Sequence, residues 1–228
     1  LTLILFSLFS TSFLLGSNIL IKDINKQFDV GKNIVSCMFQ DSTGFLWFGM
    51  ANGLYKFDSN TFTYFNLGEN RMDGFPTSDV RSIIEYAPGL LLVGTFDKGL
   101  LGFNSGIETH FSVYCSGPID LSSLSIHRLD IDRHGTIWVG STDGLFRLKR
   151  KDILSNEFEL MNIFHSDNIS LISNEVVDIT EGSDGTIWFL TMSDIGYHKP
   201  IIKETRTYAT YGANSSFTFI DNERILIG

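Results

Sequence analysis

Clustered positive charge is missing from this sequence. Its 228 residues hold 17 Lys or Arg against 26 Asp or Glu, a formal net charge of −9. A surface that neutralises phosphates needs grouped cations, so direct nucleic-acid contact by this region is excluded. The densest basic stretch, Arg147 to Lys151, reads as decoration of a strand end and the loop after it. Charged residues of all kinds are only 19% and apolar residues 43%, which excludes a disordered chain. Proline is scarce at 4, and no stretch has a convincing helical period. Cysteine is scarcer still: Cys37 and Cys115 fall on different strands of different repeats, so two buried free thiols are expected rather than a bridge.

Charge is also absent from the first 15 residues, "LTLILFSLFSTSFLL", and the first ionisable side chain is Lys22. That length suits the apolar centre of a secretory signal and is short for a membrane-spanning helix. The initial Met and the Lys or Arg of a usual signal are missing, so residues 1–17 are read as a signal centre truncated at its start. Gly16 and Ser17 offer small residues for cleavage, and a lipid anchor would want Cys at position 17. The alternative is a buried N-terminal strand.

Glycine (21) and phenylalanine (20) are plentiful, as in all-β proteins with tight hairpins. Four segments align on one glycine: "SCMFQDSTGFLWFGMANGLYKF" (36–57), "RSIIEYAPGLLLVGTFDKGLLGF" (81–103), "HRLDIDRHGTIWVGSTDGLFRL" (127–148) and "VDITEGSDGTIWFLTMSDIGYH" (177–198). A fifth, "FTFIDNERILIG", occupies 217–228. The spacing of about 45 to 50 residues is that of β-propeller blades. All three tryptophans, Trp47, Trp138 and Trp188, share one column, with Leu92 and Leu226 filling it elsewhere. Gly49, Gly94 and Gly140 follow two positions later, and Leu190 breaks that column.

Each copy reads as a four-stranded meander with a glycine turn, a bulky second strand and a short aromatic outer strand at 62–65, 111–114, 162–164 or 207–211. One blade cannot bury both faces, so the blades stack around an axis. The expected fold is an all-β propeller over residues 18–228, with about four full blades and part of a fifth centred near Trp47, Leu92, Trp138, Trp188 and Leu226. Closing the ring would take six to eight, roughly, for this repeat length, so the chain is expected to be the N-terminal part of a longer protein.

The blade pattern D-x-x-G-x-[IL]-W-[FV]-G followed by x-x-x-G-[IL] resembles the two-component regulator propeller repeat. "QDSTGFLWFGMANGLYKFDSNTFTYF" (Gln40 to Phe65) is similar to a first blade of that family. The preceding "DVGKNIVSCMFQD" is similar to the start of exported sensors of Bacteroidetes hybrid two-component systems. The resemblance implies a periplasmic ligand-sensing propeller that responds to oligosaccharides. It further implies a full-length homodimeric histidine kinase whose membrane span and DNA-binding parts lie outside this chain.

Catalytic patterns are weak by comparison. The five histidines are scattered without metal-ligand spacing, and "DIDRHG" (130–135) lacks the glutamate of a calcium loop. "GSTDG" (140–144) is not a nucleophile elbow. No metal, cofactor or catalytic residue is expected. A secreted propeller enzyme, such as a polysaccharide lyase or oxidoreductase, and a purely structural or dimerising propeller stay open as alternatives.

A ligand is expected at the mouth, near the starts of the innermost strands, where one column holds Ser36, Arg81, His127 and Val177. Arg81 and His127 are the leading candidates for sugar hydroxyls, unless they pair with carboxylates. Turns on the same face add Asn52, Phe96, Asp97 and Asp143, and the connection 66–78 adds Arg71 and Asp73.

Overall fold

The computed structural model describes residues 34–67, 79–152, 156–168, 171–210, 215–219 and 225–227. The signal segment expected at 1–17 and the charged pair Arg71 and Asp73 lie outside the described residues. No helix among the described residues is long and apolar enough to cross a membrane.

Alternating polar and bulky residues separated by glycine turns build four antiparallel meanders. The first sheet runs β1 (Val35–Gln40), β2 (Leu46–Met50), β3 (Gly53–Phe57) and β4 (Phe62–Phe65). The second runs β5 (Val80–Ala87), β6 (Leu90–Thr95), β7 (Leu100–Asn104) and β8 (Thr109–Ser112). A short strand β9 (Tyr114–Ser116) then leaves the second sheet. The third sheet holds β10 (Ile126–Ile131), β11 (Ile137–Ser141), β12 (Gly144–Arg150) and β13 (Glu157–Phe164), with β9 added parallel to β13. The fourth holds β14 (Val176–Glu181), β15 (Ile187–Thr191), β16 (Asp194–Lys199) and β17 (Glu204–Ala209). A two-stranded piece follows, β18 (Phe217–Phe219) and β19 (Ile225–Ile227). The innermost strands β1, β5, β10 and β14 pack in succession, as blades around an axis do. The all-β propeller expected from the repeat is the fold observed.

Conserved spacing within the repeat has a packing cause. Trp47 and Trp138 are fully buried, each against the first strand of the next blade: Trp47 with Val80 and Ile83, Trp138 with Val176 and Ile179. Each indole buried this way contributes about 2–3 kcal/mol of apolar transfer energy. The glycine column two residues on leaves room for the neighbouring blade. A Cβ on Gly94 would stand 2.6 Å from Cγ2 of Ile126, and one on Gly140 3.0 Å from Cγ1 of Val176. Leu190 replaces this glycine in the fourth blade and packs, fully buried, against Phe217.

The first hairpin turn needs glycine for another reason: Gly44, Gly135 and Gly185 have φ of 95°, 76° and 83°. In the first and third blades an aspartate locks that turn to the tryptophan. Asp41 accepts from the Trp47 indole at 2.8 Å, and Asp132 from the Trp138 indole at 3.0 Å. The fourth blade has Gly182 at this position, and Trp188 is only half-buried.

Three expectations need correction. The outer strand expected at 111–114 ends at Ser112, because Tyr114 to Ser116 pair instead with Glu157 to Glu159 of the next blade. Arg147 does not decorate a strand end: it sits within β12 with its guanidinium 5.5 Å from the Trp138 ring. Cys37 and Cys115 are free and lie in different sheets, but both are half-buried rather than buried. Burial still pushes the Cys37 thiol up to about 11, and pushes the Cys115 thiol up as well.

Candidate functional site

The innermost strands β1, β5, β10 and β14 each carry a bulge at one repeat position. The register shifts between Val35 and Cys37, Val80 and Ser82, Ile126 and Arg128, and Val176 and Asp178. The extra residues are therefore Ser36, Arg81, His127 and Val177, the column singled out in the sequence. A bulge breaks the two-residue alternation, so a residue and its successor both reach the same side. All four bulge residues, with Arg128 and Asp178, line one cavity of about 600 Å³ at the inner strands.

The chain entering each blade is fixed by a repeated backbone bond. The residue after the second strand donates to the carbonyl before the first: Ala51 to Ile34, Phe96 to Asp79, Thr142 to Ser125 and Met192 to Glu175. Buried hydroxyls hold the adjoining turns. Thr95 Oγ1 donates to the Gly99 carbonyl at 2.9 Å and accepts from Lys98 N at 2.9 Å. Ser141 Oγ likewise donates to the Gly144 carbonyl at 3.1 Å and accepts from Asp143 N at 2.9 Å. The mouth is thus a rigid rim of turns above a bulged inner ring.

Charge at the mouth is largely matched. Arg81 places Nε 2.8 Å and Nη2 2.6 Å from Oδ2 of Asp79, and its guanidinium lies 5.2 Å from the ring of Phe96. Arg128 reaches Asp178 in the next blade, with Nε 3.3 Å from Oδ1. His127 Nε2 lies 3.5 Å from Oε1 of Glu175, also across a blade seam, and makes no hydrogen bond. Burial holds the His127 pKa below the usual histidine range; Glu175 opposes this and Arg81 reinforces it. The imidazole is therefore neutral at pH 7.

The sequence candidates separate accordingly. Arg81 and His127 share the cavity, and each faces a carboxylate, as their pairing alternative anticipated. Phe96 stands beside it, 49% exposed, beneath the Arg81 guanidinium. Asn52, Asp97 and Asp143 are not among the cavity's lining residues. Asn52 Nδ2 donates to the Tyr55 hydroxyl at 2.7 Å, Asp143 lies 3.3 Å from His165, and Asp97 is exposed. Sequence reasoning missed Arg128, Glu175 and Asp178. The signal for Arg128 and Asp178 was their place directly after the bulge column. Glu175 had none, since it lies on a connection. No group of His, Cys, Asp and Glu among the described residues is arranged to hold a metal.

The two-component regulator propeller repeat matches residues 29–52 and 170–193. No curated protein matches the chain. Among solved structures, the chain is similar to two extracellular domains from B. thetaiotaomicron. One is assigned to a hybrid two-component system, at 21% identity and a TM-score of 0.70, covering 91% of this chain and 29% of that one. The other is assigned to a one-component system, at 20% identity and a TM-score of 0.64, covering 83% and 24%. A catalytically inactive variant of virginiamycin B lyase from Staphylococcus aureus, solved with quinupristin, is similar at 16% identity and a TM-score of 0.59, covering 80% and 59%. The chain spans 24% and 29% of the length of the two extracellular domains. It has the β-propeller fold of these structures, and two of its segments match the two-component regulator propeller repeat.

Proposed function

We propose that this propeller is the ligand-sensing, periplasmic region of a hybrid two-component receptor, and that its ligand is an oligosaccharide held at the mouth. The observation that carries this reading is the bulge column. The one irregularity repeated in β1, β5, β10 and β14 turns Arg81 and His127, with Arg128 and Asp178, into a single cavity. Bulges commonly re-aim side chains at functional sites. Alternating donors and acceptors beside an exposed Phe96 suit a ligand with many hydroxyls and an apolar face. The extracellular domains with the same fold support an exported sensor.

The mechanism would be differential binding. A ligand that favours one arrangement of a receptor dimer shifts the output by its affinity difference between arrangements, and by no more. A secreted enzyme, the alternative left by the sequence, is favoured by no arrangement among the described residues.

The test is a screen of this chain against immobilised oligosaccharides, followed by autophosphorylation of the full-length receptor with any glycan retained. The reading expects at least one glycan to bind and to change kinase output. Failure of every glycan to bind would overturn it.

A further inference from the structure

Two arginines at the mouth suggest an acidic ligand at first sight. Their geometry argues against it. Both Arg81 nitrogens that face Asp79 share its Oδ2, and the guanidinium plane is occupied on one side by Phe96. Arg128 faces Asp178, whose carboxylate also accepts from Ile179 N at 3.0 Å and Phe217 N at 3.1 Å. Each guanidinium already has a carboxylate beside it, so an acidic ligand would compete with a partner in place rather than meet a bare arginine fork.

Glu175 is different. Its carboxylate is 44% exposed, lies on the cavity wall and faces only the neutral His127 among the described residues. Two arginines meet three carboxylates at this mouth, and Glu175 is the surplus. His127 Nε2, buried and without a hydrogen bond, stands beside it. Glu175 thus offers a charged acceptor to a ligand's hydroxyl groups, with no cation beside it on the His127 side. An anion in the same place would meet Glu175, and to gain an arginine it would have to compete with Asp79 or Asp178.

We propose that the mouth is selective for uncharged, hydroxyl-rich glycans and rejects acidic ones, and that Glu175 sets the preference. This rests on the reading of the mouth as a glycan site. The charge of the lining then acts as a filter: repulsion across several ångströms of partly screened cavity costs roughly tenfold in affinity or more.

The experiment compares matched ligands by calorimetry: oligogalacturonates and their methyl esters, with neutral and uronate-bearing pairs of other backbones. It uses the full chain and its Glu175→Gln variant, with thermal melting to show that the variant is folded. Neutral members should bind at least tenfold more tightly than acidic ones, and Glu175→Gln should narrow that gap while the neutral members still bind. Acidic members binding as well as neutral ones, or a gap unchanged in Glu175→Gln, would overturn the filter and leave the glycan site standing. Binding of no member of either kind would overturn both.

Discussion

Trp138 and His198 face each other across the seam between the third and fourth blades, with ring centroids 5.8 Å apart. The first and second blades place Trp47 against Phe103 in the same way, at 5.4 Å. The likeness extends further. Phe65 and Phe164 meet their tryptophans at the same 5.9 Å and 33°. Lys56 and Arg147 lie over the indoles, and Asp41 and Asp132 accept from them. Glu85 reaches back to Ser42 N at 2.7 Å, and Glu181 to Arg133 N at 2.9 Å. These two seams are built alike. The seam between the second and third blades is not: Leu92 replaces the tryptophan, Ile131 stands in the column of Glu85 and Glu181, and β9 crosses it instead.

His198 makes one seam sensitive to acid. Burial, reinforced by Arg147, holds its pKa at about 4 against an ordinary 6.5. The unfolded chain therefore takes up this proton first as the pH falls. Stability is complete above pH 6.5 and is lost as the pH drops towards 4, by about 2 kcal/mol between pH 7 and 5. His127 shifts in the same direction and adds to the loss. Replacing His198 with Phe, the residue that Phe103 already supplies in the second blade, should flatten this part of the curve. Urea unfolding at pH 7 and pH 5 checks it; an unchanged slope in the variant would contradict the assignment.

Asp132 is 6% exposed and accepts from His134 N at 3.0 Å, Thr136 N at 2.9 Å and the Trp138 indole. Asp132→Ala should cost about 2–4 kcal/mol, because it leaves three donors without their acceptor. Asp132→Asn keeps one carbonyl acceptor and should cost less. Chemical denaturation of both variants measures the difference.

Gly94→Ala should cost about 1–3 kcal/mol by overpacking Ile126. Ile126→Ala removes the clashing Cγ2, so the double variant should lose less than the two single losses combined. Additive losses would show that the glycine is not there to admit its neighbour.

The architecture was legible because blade packing imposes a residue type at fixed spacing. Trp47 and Trp138 must fill the next seam, and Gly49, Gly94 and Gly140 must clear it. The mouth was legible only in part. A bulge shifts the two-residue period by one, so the alternation that exposes a buried face conceals Arg128 and Asp178. Asp79 and Glu175 sit on connections, which carry no period. The departure of β9 was hidden because pairing Tyr114 with Glu157 joins segments 43 residues apart in different repeats.

The central claim is that the bulge column forms the binding mouth. Calorimetry of any glycan retained by the chain, against wild type and the folded Arg81→Ala/His127→Ala variant, tests it most directly. The account predicts at least a tenfold loss of affinity with the sheet signal in circular dichroism intact. Undiminished affinity in that variant would place the ligand elsewhere and contradict the account.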